Sequence, residues 1–205
     1  MAVASHDALA LASHGRRIAA ALLDGVLGSA IMAAGGAAGF GVGVIGAGGT
    51  DADGWDALGW VLAGTVLGAM AGFAIWVVLT VWLARRPGAR NGQTAGKQMV
   101  GIRVVRAGGG EIDVGWALLR EVLAKFVLVG MTSSLVSGLL GFFDGGLLGI
   151  LIAGAIWYGP AFADEQRRAL HDRLCNTHVV DAAQQPRALD PASAAPDHDL
   201  WPASA

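Results

Sequence analysis

The side chains of this chain best suited to chemistry are few, and they stand in apolar surroundings. Asp24 follows Arg17 by seven residues inside an otherwise apolar run, so both project from a similar helix face. A carboxylate within a membrane helix is a functional hypothesis by default: it holds a proton or a cation, or it ties helices together as an ion-pair partner. A second group is Arg120-Glu121 with Lys125, in which Glu121 and Lys125 have the i, i+4 spacing of a favourable pair. A third is His171-Asp172-Arg173. Arg17, Asp24, Arg120, Glu121, Asp172 and Arg173 are therefore the candidates for an ion or proton site, or for a structural ion-pair cluster.

Other motifs carry less. Gly92-Gln93-Thr94-Ala95-Gly96-Lys97 has the look of a phosphate loop, but only three residues separate its glycines, Gln98 stands where Ser or Thr is needed, and no strand precedes it. His171, Cys175 and His178 are metal-ligand types without zinc spacing or a second ligand pair, so no metal site is expected. No Ser/His/Asp or Cys/His set and no paired carboxylates stand out, so neither an enzyme nor a cofactor is expected. The single cysteine excludes an internal disulfide, and a net charge of −2 gives no reason to expect nucleic acid as a partner.

The elements that must position these groups are membrane helices. Hydrophobic residues make up 54% of the 205 and charged ones only 15%, against about 25% charged in a soluble domain. A bilayer core takes about 20 apolar helical residues to cross. Four runs qualify, at 17–41, 57–84, 115–141 and 145–163, and they define an all-α polytopic bundle. Asp113 is placed to cap the third helix, and Phe142-Phe143-Asp144-Gly145-Gly146 makes a tight connection to the fourth. With the N-terminus inside, every Lys and Arg falls in or at the edge of an inner segment, while the outer loops hold only Asp51, Asp53, Asp56 and Asp144. Laying residues 114–125 on the surface instead would leave three spans and carry Arg167, Arg168 and Arg173 outside, against that rule. Arg16-Arg17 before an apolar run also resembles a signal peptide, but Asp24 interrupts the run, so it reads as a first-span anchor.

Small residues recur at four-residue spacing in Gly35/Gly39/Gly43, Gly64/Gly68/Gly72 and Gly141/Gly145/Gly149. Such stripes pack helices within a bundle or, alternatively, join two copies. The segment 85–113 contains β-like Ile102-Arg103-Val104-Val105, a Gly108-Gly109-Gly110 turn and Glu111-Ile112-Asp113-Val114, which predict a short interfacial hairpin. Residues 1–15 are expected to form a cytoplasmic N-terminal segment, 16–181 the membrane domain, and 182–205 a disordered cytoplasmic tail too polar to bury much. The expected surroundings are the lipid bilayer of the cell membrane, anionic headgroups at the basic inner side, and a second copy or another membrane protein.

Four stretches in order resemble the signatures of the RDD family of membrane proteins, named for an Arg and two Asp residues. The first, Arg17-Ile18-Ala19-Ala20-Ala21-Leu22-Leu23-Asp24, gives the Arg and one Asp. The second is Gly92 to Lys97 followed by Gly101-Ile102-Arg103-Val104-Val105, in which Gly92, Thr94, Gly96, Lys97, Gly101 and Arg103 carry the loop motif. The third is Ala117-Leu118-Leu119-Arg120-Glu121. The fourth, Leu170-His171-Asp172-Arg173-Leu174, gives the second Asp. The resemblance covers about 16–180. It implies a multi-pass membrane protein with a small-ion transport role such as cation–proton exchange, or a place as an accessory or scaffold subunit of a larger membrane assembly.

Overall fold

A computed structural model describes residues 10–49, 53–107, 111–139 and 146–183. Two long antiparallel helices come first, α1 (His14–Gly49) and α2 (Gly54–Ala84). The start of α2 lies ahead of the expected residue 57 because the Asp53 carboxylate accepts from the Trp55 and Asp56 amides at 3.1 and 3.2 Å, a side-chain cap. α1 continues past residue 41, its expected end. Glycine in a helix costs about 1 kcal/mol relative to alanine, but here Gly35 and Gly39 lie directly against Gly64 and Gly68. A β-carbon on Gly39 would enter the Gly64 carbonyl oxygen, and one on Gly68 the Gly35 carbonyl oxygen. The first two stripes therefore face each other within one chain, and backbone contact offsets the weak helix propensity. Of the third stripe, Gly141 and Gly145 lie outside the described residues, and Gly149 abuts Ser133 and Ser137.

After a short turn at Gly88–Arg90 come α3 (Ala95–Met99), β1 (Ile102–Arg106) and the long helix α4 (Val114–Leu139). Asp113 caps α4 as expected, accepting from the Trp116 amide at 2.8 Å. Leu118–Leu128 within it is wound as a π-helix, a form found preferentially at functional sites. α5 (Gly146–Tyr158), the short α6 (Pro160–Ala163), α7 (Leu170–Leu174) and β2 (Thr177–Asp181) complete the chain. The expected connection at 142–146 lies almost wholly outside the described residues, as do Asp51, Asp144 and the tail beyond 183.

α1, α2 and α4 are long and apolar enough to cross a membrane, and Leu148–Ala163 is a shorter apolar helix. Their outward side chains, among them Leu22, Val26, Ile45, Leu67, Val78 and Met131, are exposed. Apolar faces left bare in this way belong against lipid. Each of the four helices has one end at a common polar module that contains α3, α7 and the two strands.

The two strands correct the expected hairpin. β1 pairs antiparallel with β2, from Ile102 opposite Asp181 to Arg106 opposite Thr177, not with residues 111–114. The reason lies in Asn91. Its side chain donates to the Ile112 carbonyl at 3.0 Å and accepts from the Ile112 amide at 2.7 Å, so the backbone before α4 is already engaged. β2 takes the vacant edge and is joined on its other side by residues 10–12, through Ala12 N–Val179 O at 3.0 Å and Asp181 N–Ala10 O at 2.8 Å. Ile102, Val104 and Val179 form one apolar core with Ala20 of α1, Val81 and Ala84 of α2, and Ala117 of α4, so the small sheet clamps the ends of the helices together. The fold is thus helical with a two-stranded sheet rather than purely α.

Candidate functional site

The candidate residues converge at this clamped end. Gly92 holds a positive φ of 74° and approaches the Val104 carbonyl so closely that a side chain has no room. Its amide donates to the Ala84 carbonyl at 2.8 Å and its carbonyl accepts from Val104 at 3.0 Å, which pins the loop to α2 and β1. The next residues then turn into the bundle. Thr94 donates its hydroxyl to Asp24 Oδ2 at 2.5 Å, and the Gly96 amide donates to Asp24 Oδ1 at 2.7 Å. A β-carbon at Gly96 would collide with the Ala20 carbonyl and with Asp24, so glycine is what lets α3 dock on α1. Asp24 was read as a proton or cation site or as a structural partner between helices. Its hydrogen bonds are to the threonine hydroxyl and glycine amide, because α3 occupies the space beside it.

Lys97 closes the stretch from Gly92 to Lys97. It is buried and points inward, donating to Glu121 Oε1 at 2.7 Å and to Thr94 Oγ1 at 3.2 Å. Glu121 also accepts from Arg120 and, through Oε2, from Lys125 at 2.8 Å. Arg120 continues the chain: it reaches Asp172 Oδ1 at 2.5 Å and donates through Nε to the Thr177 hydroxyl at 3.2 Å. Arg17 closes it, lying 3.4 Å from Asp172 Oδ2 and donating to the Val179 carbonyl at 2.9 Å and to the Arg167 carbonyl. Asp172 additionally accepts from the Ala169 amide at 3.2 Å, which starts α7. One polar network therefore links α1, α3, α4, α7 and β2. Five of the six ion-site candidates belong to it. Arg173 does not: its side chain is exposed and pairs with Asp164 at 3.2 Å, because α7 turns it away from the bundle. Of the remaining loop-motif residues, Gly101 makes a positive-φ turn into β1, and Arg103 lies half-buried on β1 opposite Val180.

The electrostatics follow from burial. Among the module residues, burial would raise the Asp172 carboxyl, but the Arg120 guanidinium, with Arg17 behind it, outweighs that and holds it at about 2. Burial lowers Lys97 to about 7, although the Glu121 carboxylate pulls the other way. Burial likewise takes His171 to about 3, assisted by Arg120 and opposed by Asp172. His171 is thus neutral, and its 3.5 Å approach to Asp172 is not an ion pair. Its ring packs edge-on to Tyr158, with centroids 5.0 Å apart.

A cavity of about 160 Å³ opens beside the network, lined by Asp24 and Gly25 of α1, Trp76 and Thr80 of α2, Glu121 and Lys125 of α4, and Tyr158 of α5. It has room for several water molecules. A tighter one of about 50 Å³ reaches Arg17, Asp24, Lys97, Arg120, His171 and Asp172 from the other side. Two contributors were not among the candidate site residues. Tyr158 lines both cavities, and its one signal is that it is the sole tyrosine, placed at the basic end of a span. Thr177 holds Arg120 through a strand whose pairing the sequence did not reveal. Among the described residues, no group of three or more His, Cys, Asp or Glu side chains is placed to hold a metal ion. His178 faces the Gln166 side chain at 3.0 Å, and Cys175 is buried.

A family model for the RDD family matches residues 11–176, which includes every charged member of this network. No curated protein and no solved structure matches the chain.

Proposed function

The chain belongs to the RDD family, and on that footing we propose that it is a small-ion transporter working by cation–proton exchange, with the exchange centred on the network that Asp24 anchors. It lies in the cell membrane with four spans and both termini in the cytoplasm. The arrangement of Lys and Arg at one end of all four apolar helices supports that orientation. It is not an enzyme in this reading. The observation that carries the proposal is the 160 Å³ cavity, where the Asp24 carboxylate and the Glu121–Lys125 pair face one space between apolar helices with room for water. Charged groups are expensive at such a place and are kept there mainly along ion and proton pathways.

The test is cation-driven pH change in everted vesicles or proteoliposomes. Exchange by the wild-type protein and its loss in Asp24→Asn are expected. A wild-type protein inert toward Na⁺, Li⁺ and K⁺ refutes transport, and undiminished exchange in Asp24→Asn removes Asp24 from the mechanism.

One observation favours a second reading, a non-catalytic accessory or scaffold subunit. Both oxygens of Asp24 are engaged by α3, as they would be in a purely structural latch. The exposed Arg85, Arg90 and Arg173 would then meet anionic headgroups or a partner. A pull-down from native membranes that recovers a stoichiometric partner supports this reading. Recovery of lipid and further copies of the chain alone counts against it.

A further inference from the structure

We infer that Lys97 is the group that takes up and releases the proton in this network. The inference starts from a count of charges. The chain of contacts, buried at Lys97, Arg120, Glu121 and Asp172, joins four cationic side chains, Arg17, Lys97, Arg120 and Lys125, to three carboxylates, Asp24, Glu121 and Asp172. One positive charge is in surplus, and an uncompensated buried charge is costly. The imbalance is local to Glu121, whose single negative charge faces Lys97, Arg120 and Lys125 together.

Geometry decides which cation gives way. The two arginines keep their protons under any accessible condition. Lys125 and Lys97 share Glu121, but the Lys125 side chain is 19% exposed toward the cavity, whereas that of Lys97 is 4% exposed. The desolvation cost therefore falls on Lys97. Lys97 also loses no contact on becoming neutral. An ammonium carries three hydrogens and an amine two, and Lys97 makes two donor contacts, to Glu121 and to Thr94. The released proton passes to solvent through the smaller cavity, which Lys97 lines, while Nζ keeps the electron pair.

The groups facing Lys97 are Asp24 from α1, Arg120, Glu121 and Lys125 from α4, and Asp172 and His171 from α7 behind Arg120. Tyr158 of α5 completes the surround. Within the exchange proposed above, on which its transport meaning rests, a neutral Lys97 leaves Glu121 paired with Arg120 and Lys125 alone, and a protonated Lys97 restores the surplus.

The chain has only two lysines, Lys97 and Lys125, so isotope-labelled lysine in the full-length protein in nanodiscs gives two side-chain signals. Loss of one signal in Lys97→Arg assigns them. The expected result is a Lys97 midpoint near 7, against 10.5 for an ordinary lysine. A Lys97 signal that stays protonated to above about pH 9 overturns the inference. In vesicles, Lys97→Arg, which keeps the charge but cannot release it, is expected to lose at least tenfold in exchange (~1.4 kcal/mol) and to flatten its pH profile. A wild-type profile in that variant likewise overturns the role. If Lys97 titrates near 7 while the wild-type protein exchanges no cation, the transport reading fails and the proton site stands.

Discussion

An Asp172→Asn substitution removes the charge on which Arg17 and Arg120 converge while keeping the volume of the side chain. Asp172 is 1% exposed, so solvent screens it little. Its carboxyl is held at about 2, against an ordinary 3.8, because Arg120 and Arg17 outweigh the effect of burial. A folded-state value depressed in this way means that the stabilisation is complete above 3.8 and is lost as pH falls through about 2. At pH 7 the wild-type protein has all of it and the Asn variant has none. The shift corresponds to on the order of 2 kcal/mol. That is a floor, because the variant also takes the shared carboxylate from Arg17, left with two backbone carbonyls, and from Arg120, left with Glu121 and Thr177, and breaking one side of a buried pair costs roughly 3–5 kcal/mol. Cys175, the only cysteine, is 1% exposed three residues further on, at the end of α7, so its modification reports opening of this end of the bundle. At 2 kcal/mol, the rate of maleimide labelling in native membranes at pH 7, normalised to the denatured chain, is expected to rise about 30-fold in Asp172→Asn. Labelling no faster than in the wild-type protein would refute the argument that ion pairing to Asp172 holds α7 and β2 on the helices.

Acid should loosen the same end before it affects the apolar helices. Burial, with Arg120 nearby, lowers His171 to about 3 from 6.5, so between those values the unfolded segment binds a proton that the folded one does not, and stability falls as pH drops from 6.5 toward 3. Hydrogen exchange of residues 170–181, corrected for its intrinsic pH dependence, should show less protection at pH 4 than at pH 7, and equal protection refutes the neutral buried histidine. The glycine contact gives a paired comparison. Gly68→Val drives a side chain into the Gly35 carbonyl, whereas Gly41 has nothing within 4 Å of its β-position. Thermal unfolding in detergent should show Gly68→Val destabilised by about 1–3 kcal/mol and Gly41→Val close to wild type. Equal effects would mean that α1 and α2 do not meet along these stripes.

Much of the architecture was legible because it is written in composition and short spacings. Apolar runs locate three helices long enough to span and a shorter fourth, and Lys and Arg are placed toward one end of them. Asp53 and Asp113 lie at helix starts, although only Asp113 was read as a cap. The glycine stripes gave helix-contact faces but also suggested ending α1 at residue 41, since propensity alone cannot anticipate backbone contact with a second helix.

By itself, then, the sequence determined that this chain is a membrane protein of the RDD kind and which polar residues are out of place in it. Desolvation makes an isolated Asp, Glu or Arg in an apolar run conspicuous wherever its partner lies. Only the tertiary structure decided how those residues pair. Asp24 meets Thr94 and Gly96 some seventy positions away, Arg120 meets Asp172 across 52, and β1 finds β2 rather than its neighbour. Such contacts depend on the register in which helices and loop close, which no local spacing encodes. Lys97 shows the difference most clearly: in sequence it belongs to a surface loop motif, and in the fold it is a buried amine beside a carboxylate that already has two other cations.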